Sequence, residues 1–127
     1  MPDRHSTKEI AMTAYALAHL HPQPTLHDDV FTYMERIQAT MDPFGGRFLV
    51  HGSLPEVIEG PVDGGYVLIE FPDIDKARAW YKSDAYQAIL AMRTDHMEGT
   101  AVLLHGVPDG YDAATTAEHL RNAQAGA

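Results

Sequence analysis

The chain has 127 residues, of which 45% are hydrophobic, so it is long and apolar enough for one domain with its own core. Its formal net charge is −9 at pH 7 with neutral histidines, and such an acidic surface repels phosphate groups, which argues against nucleic acid and anionic membranes as partners. It contains no cysteine, which excludes disulfides, thiolate metal sites and cysteine nucleophiles and favours a cytoplasmic location.

After a polar leader, the first half of the chain predicts a strand, a helix and a second strand. Residues 1–12 are polar and show no periodicity, so we expect a flexible leader without a secretory signal. Residues 13–20 form an apolar, partly alternating run that predicts a strand, and the prolines that follow end it. Residues 28–41 carry apolar side chains at helical spacing, and residues 47–52 predict a second strand that could resume at residues 56–59.

The second half predicts a third strand and then a helical region in two pieces. Glycine, proline and aspartate at residues 60–65 are typical of a turn, and the apolar residues 66–71 predict a strand. Asp73 is the expected N-cap of the helix that follows. Ser83 is expected to cap a second helical piece in the same way.

The last elements complete a recognised order. Residues 99–107 predict a fourth strand, and residues 108–127 predict a polar tail with a short helix near residues 116–122. Residues 13–107 therefore form a single α+β domain with the order βαββαβ. This is the ferredoxin-like arrangement, a four-stranded antiparallel sheet with strand order four-one-three-two and helices on one face.

Alternation along the strands assigns their side chains to two faces of the sheet. One face is wholly apolar and is expected to carry the helices: Ala14, Ala16, Ala18, Phe48, Val50, Val67, Ile69, Phe71, Val102 and Leu104. The other has an apolar band between polar ends: Tyr15, Leu17, His19, Arg47, Leu49, His51, Tyr66, Leu68, Glu70, Ala101, Leu103 and His105. Because an exposed apolar band usually marks an interface, we expect the second face to pair with another copy of the chain.

Three segments of the sequence resemble a bacterial family, domain of unknown function 1330. They are GGRFLVHG at 45–52, EVIEG at 56–60 and YVLIEFPDIDKARAWYKSDAYQ at 66–87, and the resemblance extends over about residues 14–107. The family is placed in the dimeric α/β-barrel superfamily, so the resemblance implies a homodimer in which two sheets pair into a barrel with the helices outside. Members tend to carry arginine where this chain has His51; if that arginine binds an anion in the relatives, the contact is expected to be lost or altered in this chain.

Arg47, His51 and Glu70 are the candidate catalytic residues. Arg47 could hold a substrate carboxylate while Glu70 acts as a base, provided that burial raises the pKa of the glutamate. The alternative is a cross-strand ion pair, and such pairs are common enough to favour it.

Six further residues are candidate ligand contacts: His19, Tyr66, Trp80, Tyr81, Tyr86 and His105. Aromatic residues at helical spacing are most often core anchors, but they also line apolar ligand pockets. Histidines on one sheet face could bind a metal or haem through His19, His51 or His105. Strand direction places His105 at the opposite end from the other two, so interface histidines are favoured, and no metal or cofactor is expected.

The resemblance leaves three functions open. Barrel relatives include cofactor-independent monooxygenases, isomerases and cyclases, which implies a small dimeric domain that binds a small apolar or aromatic acid and could act on it. The first alternative is a non-enzymatic dimeric accessory or stress-related protein, whose interface would be filled by partner side chains. The second is the metal or haem protein, since some barrel relatives bind haem through one histidine.

Overall fold

The computed structural model describes residues 12–126, so the predicted leader, apart from Met12, lies outside the described residues. Four strands are present: β1 (Ala14–His21), β2 (Arg47–Val50), β3 (Gly65–Phe71) and β4 (Glu98–His105). Four α-helices accompany them, and a 3-10 turn (Asp42–Phe44) follows the first: α1 (Asp28–Met41), α2 (Ile74–Lys82), α3 (Asp84–Thr94) and α4 (Ala113–Ala125). No helix in this described range is both long and apolar enough to cross a bilayer.

The strands form one antiparallel sheet in the order β2-β3-β1-β4. This is the predicted four-one-three-two order, and it confirms the α+β ferredoxin-like fold. The central strand β1 pairs with β3 so that Leu17 faces Leu68 and His19 faces Tyr66. On its other side β1 pairs with β4, and Leu17 faces Val102. The sheet is therefore built around strand β1, which pairs with β3 on one side and with β4 on the other.

Local caps determine where the helices begin. The Asp73 side chain accepts a hydrogen bond from the Lys76 amide at 2.8 Å and starts α2. Ser83 closes α2 by donating to the Trp80 carbonyl at 2.7 Å and starts α3 by accepting from the Tyr86 amide at 3.3 Å. Both caps are those expected from the sequence, because short polar side chains satisfy amides that the first helical turn leaves free.

The core lies between the helices and one face of the sheet. Ala14 and Ala16 on β1 are buried beside Ile69 and Phe71 on β3. The helices contribute the larger core side chains Val30, Tyr33, Ile37, Met41, Trp80, Tyr86 and Ile89. Small alanines on the central strand let these bulky groups approach the sheet, as the sequence predicted for this face.

The prediction for β4 was wrong by one residue. Ala16 pairs with Leu103 and Leu17 with Val102, so Leu103 faces the helices while Val102 and Leu104 face away. Leu103 packs against the core, whereas Val102 is 48% exposed and Leu104 is 44% exposed. The same shift moves Ala101 and His105 to the helix side. Residues 101–104 are all apolar, so alternation alone could not choose between the two faces.

The prediction for β2 was wrong in a similar way. The pairing slips between Phe48 and Val50, and this bulge brings Val50 opposite Leu68 rather than onto the helix face. The strand ends at Val50, and residues 51–64 form no strand, so the predicted continuation at residues 56–59 is absent from this described segment. A long connection rich in glycine and proline joins β2 to β3 instead.

We call the sheet surface opposite the helices the open face. Pairing places on it Tyr15, Leu17, His19, Arg47, Val50, Tyr66, Leu68, Glu70, Val102 and Leu104. The C-terminal helix α4 does not cover it, because α4 buries no residue and Leu120 on it is 61% exposed. The structure therefore leaves an apolar band of the sheet facing solvent.

Candidate active site

A cavity of about 210 Å³ lies between the helices and the helix face of the sheet. Its floor includes Ala16 and Ala18 of β1 and Ile69 of β3. Its walls include Tyr33 and Ile37 of α1, with Trp80, Tyr81, Tyr86 and Arg93 from the α2–α3 region. A cavity of about 150 Å³ accepts benzene, so this one is large enough for a small substituted aromatic ring.

Side-chain size explains why the space exists. The small alanine side chains of β1 leave space above the sheet, and the aromatic rings of the helices border this space without filling it. The Trp80 ring is held in position because its indole nitrogen donates to the Thr40 hydroxyl at 3.0 Å. The Thr40 hydroxyl in turn donates to the Ile37 carbonyl at 2.7 Å. The Trp80 ring also packs on the Tyr86 ring, with centroids 4.2 Å apart.

A buried polar group interrupts this apolar lining. The hydroxyls of Tyr33 and Tyr86 lie 2.7 Å apart, and either can be the donor. Arg93 donates from Nε to the Tyr33 oxygen at 3.3 Å and from Nη2 to the Tyr86 oxygen at 3.5 Å. The guanidinium carbon also lies 5.6 Å from the centre of the Tyr33 ring. Helix α1 supplies the first tyrosine, and α3 supplies the other two side chains.

The group formed by Tyr33, Tyr86 and Arg93 has more hydrogen-bond donors than its internal hydrogen bonds use. Both phenol oxygens accept from Arg93, and one phenol hydrogen joins the two tyrosines. Among residues 12–126, no hydrogen bond uses the other phenol hydrogen or Nη1 of Arg93. Because a guanidinium has five N–H donors and each phenol one, the surplus can be donated to a ligand.

The protonation states follow from burial and from these contacts. Burial raises the pKa of Tyr33 above its usual value, and the neighbouring Tyr86 hydroxyl raises it further, so the phenol is neutral at physiological pH. Burial alone would lower the pKa of Arg93, but its contacts with the two phenol oxygens outweigh that effect and the pKa is raised. The cavity therefore contains the permanent positive charge of Arg93 beside the neutral phenol of Tyr33.

Arg93 has no acidic partner among residues 12–126. It is only 8% exposed, and none of the ion pairs formed within residues 12–126 includes it. A buried cation is costly unless an anion compensates it, and hydrogen bonds to two phenol oxygens compensate it only in part. An anionic group placed in the cavity would complete the pairing. A planar carboxylate or enolate matches the fork of a guanidinium.

The structure separates the predicted site residues into those that line the cavity and those that do not. His51, Trp80, Tyr81 and Tyr86 line it. Arg47 and Glu70 do not, because they face solvent on the open face. Arg47 Nε lies 2.7 Å from Glu70 Oε1, and the side chains are 68% and 25% exposed. The structure thus contains the cross-strand ion pair between Arg47 and Glu70, which was one of the two interpretations of these residues.

The predicted histidine set is also divided. The His19 ring stacks on Tyr66, with centroids 4.6 Å apart and planes at 11°, outside the cavity. His105 pairs with Ala14 at the opposite end of the sheet. The three histidines His19, His51 and His105 do not form a metal-ligating group within the described range.

Tyr33 and Arg93 were missed by the sequence reasoning. Arg93 lies seven residues after Tyr86, and Tyr33 three residues after Val30, so each shares a helix face with a core residue. A charged residue on the buried stripe of a helix is uncommon, and this spacing was the signal available. The contact between the two helices depends on tertiary packing and has no sequence signature.

Comparison with known proteins places the chain in a family. The family model Domain of unknown function (DUF1330) matches residues 13–107. The chain belongs to this family. This confirms the resemblance found in the sequence and covers all four strands and the cavity-lining helices. No curated protein matches the chain.

Solved structures share the fold at low identity. Methylated RPA0582 from Rhodopseudomonas palustris has 14% identity and a TM-score of 0.60, with 85% of this chain and 90% of that chain covered. A dimeric ferredoxin-like protein of unknown function from Thermobifida fusca YX has 16% identity and a TM-score of 0.53, with coverages of 76% and 93%. A variant of SnoaB, a cofactor-independent oxygenase from Streptomyces nogalater, has 15% identity and a TM-score of 0.55, with coverages of 80% and 100%.

Proposed function

We propose that this protein binds a small aromatic or apolar acid in the cavity, with the anionic group against Arg93. The observation that carries the proposal is the buried Arg93 guanidinium, which forms no ion pair with any acidic side chain of the described residues. The apolar floor and aromatic walls suit a ring, and the spare donors of Arg93 and the tyrosine pair suit the acid. The combination of an apolar lining with a few convergent polar groups is typical of ligand sites.

The same group could also promote a reaction. A fixed cation and an unspent phenol hydrogen stabilise an oxyanion that forms on the ligand, such as an enolate, in a site shielded from water. We therefore extend the proposal to a cofactor-independent enzyme of the monooxygenase, isomerase or cyclase type. The shared fold with an oxygenase described as cofactor-independent supports this extension by analogy only. His51, at the edge of the cavity, is the candidate for proton transfer.

The alternative of a non-enzymatic accessory protein predicts a dimer interface filled by partner side chains, with no cavity left. The cavity, and a cation in its lining that forms no ion pair within residues 12–126, support a ligand-binding role instead. The expected cytoplasmic location, and the expectation of no nucleic-acid or membrane partner, stay predictions.

We also propose that two copies pair through the open face. Its apolar band includes Val50, Val102 and Leu104, all exposed in the single chain. Contiguous exposed apolar surface of this kind is usually covered in the working assembly. The protein of shared fold from Thermobifida fusca YX is described as dimeric, which supports pairing of two copies but not a particular face.

Isothermal titration with benzoate, salicylate and cinnamate tests the binding proposal. We expect saturable binding of at least one of these acids to the wild type. Arg93→Gln should weaken that binding by about tenfold to a hundredfold, the value of a hydrogen-bonded ion pair of about 1.5–3 kcal/mol. The matched control is Arg47→Gln, which removes an arginine from the open face and should leave affinity unchanged.

A second variant guards against misfolding of Arg93→Gln. Tyr33→Phe removes one phenol from the site while keeping the ring, and its circular dichroism should match that of the wild type. It should also reduce affinity, because the contact through which the Tyr33 hydroxyl holds Nε of Arg93 in position is lost. Equal affinities in the wild type, Arg93→Gln and Tyr33→Phe, or a loss confined to Arg47→Gln, would refute the proposed site.

A further inference from the structure

We propose that His19, His21 and Asp63 form a binding site for a divalent transition metal ion such as Zn²⁺, at the end of β1. One nitrogen of each histidine and a carboxylate oxygen of Asp63 all lie within 4.8 Å of one another. Histidine nitrogen and carboxylate oxygen are the ligands that zinc takes in proteins without cysteine. None of the three residues lines the cavity, so this site is separate from the acid-binding site.

The backbone brings the three side chains together. His19 and His21 are alternate residues of β1, so their side chains project from the same face of the strand. Asp63 comes from the connection before β3. Gly64 holds that connection against β1, because a Cβ there would lie 2.3 Å from the Leu20 carbonyl oxygen and its φ is +74°. Only glycine allows this approach, and it sets Asp63 beside the two imidazoles.

The distances are close to those of a metal site. His19 Nε2 lies 4.0 Å from one carboxylate oxygen of Asp63, and His21 Nδ1 lies 3.7 Å from the other. With bond lengths of about 2.0–2.1 Å, ligands of tetrahedral zinc lie about 3.3 Å apart. A contraction of about half an ångström at these two contacts, within reach of side-chain rotation, brings the carboxylate and the imidazoles to that separation.

The orientation of the rings also permits ligation. The His19 and His21 rings are tilted by 58°, so the planes of the two imidazoles intersect and their nitrogens can point at one ion. Tyr66 stacks on the outer side of the His19 ring and restricts its rotation. His19 Nε2 also lies 2.6 Å from the Asp63 carbonyl oxygen, to which it donates; a metal at Nε2 takes the place of that proton.

A second histidine cluster fits a metal less well. His27, Asp29 and His96 also gather their ligand atoms, but the His27 and His96 rings are parallel at 9° with centroids 3.7 Å apart. An ion cannot lie in the planes of two parallel stacked rings. His27 Nδ1 also accepts the Asp29 amide hydrogen as the cap of α1. This cluster therefore provides a matched control within the same chain.

Three protein ligands define the class of metal. Two nitrogens and one carboxylate favour Zn²⁺, Co²⁺ or Ni²⁺ over Mg²⁺ and Ca²⁺, which prefer oxygen alone. Asp63 is exposed, so water or a substrate group can fill the remaining coordination positions. The site is thus an open one rather than a closed structural one.

Titration of the full-length chain, free of any polyhistidine tag and treated with a chelator, tests the site with Zn²⁺ and Co²⁺. We expect one saturable site per chain in the wild type and tetrahedral absorption bands with Co²⁺. His21→Ala and Asp63→Asn should each weaken Zn²⁺ binding at least about tenfold, because even residues that only support a ligand contribute about tenfold to a hundredfold. His96→Ala and His105→Ala should bind as the wild type does.

Two variants at different positions keep the test decisive, since Asp63→Asn changes an exposed side chain without altering its shape. Three results would overturn the site: no saturable Zn²⁺ binding, binding that survives both His21→Ala and Asp63→Asn, or binding lost in His96→Ala instead. Loss of acid binding in Arg93→Gln would not affect the proposed metal site, so the metal site and the acid-binding site are tested independently.

Discussion

A guanidinium group inside an apolar layer destabilises a protein unless acceptors surround it. The Arg93 guanidinium donates hydrogen bonds to the hydroxyl oxygens of Tyr33 and Tyr86. Arg93 thus keeps its positive charge in the lining of an apolar cavity that is large enough for one aromatic ring. This arrangement lowers the stability of the folded state, and charged groups in unfavourable surroundings of this kind are concentrated at functional sites.

Replacement of Tyr33 by phenylalanine should affect stability in a pH-dependent manner. The variant leaves an Arg93 donor without an acceptor, at a cost of about 1–3 kcal/mol in the free energy of unfolding. In the wild type the raised pKa of Tyr33 means that the native state holds its phenol proton after the unfolded chain has lost it near pH 10. The stability due to this phenol is therefore complete below about pH 10 and is lost as the pH rises further.

Urea unfolding at several alkaline pH values measures this effect. The decline of wild-type stability above pH 10 should be shallower in Tyr33→Phe. The control Tyr111→Phe removes an exposed tyrosine and should keep the wild-type slope. Equal slopes in the wild type and in Tyr33→Phe would contradict the assigned role of the buried phenol.

Contacts between residues on adjacent strands could be predicted from alternation in the sequence, whereas contacts between helices could not. Arg47 and Glu70 were placed on adjacent strands by alternation, and they form the ion pair. Tyr33 and Arg93 lie 60 residues apart in sequence on different helices. Their meeting depends on how α1 and α3 pack, which no local pattern records.

Among the elements, those whose ends are set by local chemistry were predicted well. Asp73 and Ser83 cap helices through their own side chains, so their roles are visible in a few adjacent residues. The face of β4 was wrong because residues 101–104 are uniformly apolar, and only the register with β1 determines it. The bulge in β2 was likewise invisible, because it arises from pairing with β3.

Ser83 should be the cap on which the helical layer depends. It ends α2 and begins α3, and the residues on either side, Trp80 and Tyr86, are buried walls of the cavity. Ser83→Ala should lower the free energy of unfolding by about 1 kcal/mol, the usual value of an N-cap. Urea unfolding followed by tryptophan fluorescence measures the change, since Trp80 is the single tryptophan.

Asp112→Ala is the matched control for this prediction. Asp112 caps α4 by accepting from the Ala114 amide at 2.8 Å, but α4 buries no residue. Loss of that cap should fray α4 without shifting the unfolding midpoint. An Asp112→Ala midpoint lowered as far as that of Ser83→Ala would show that α4 packs on the domain and that the ranking of the caps is wrong.

At the scale of the whole molecule, the sheet has one face covered by helices and one that is not. Antiparallel sheets often leave a face to solvent, but that face is then polar. Here Leu17, Leu68 and Val102 form its centre. A second copy that brings its own apolar band would bury both, and pairing of two such sheets gives the barrel implied by the family resemblance.

Sedimentation equilibrium tests the pairing. The wild type should have the mass of two chains. Val102→Asp places a charge in the centre of the apolar band and should give a folded single chain, because burying an unpaired carboxylate is costly. Leu120→Asp, on the exposed face of α4, should remain a dimer. A wild type that sediments as one chain at all concentrations would rule out the pairing.

The crystal structure of the protein with 4-bromobenzoate tests the central claim most directly, because anomalous scattering from bromine locates the ligand without interpretation of its shape. The acid-binding account predicts a bromine peak among the aromatic walls near Trp80 and the carboxylate within hydrogen-bond distance of Arg93. A ligand bound beside Arg47 on the open face, or a cavity without bromine at saturating concentration, would contradict it.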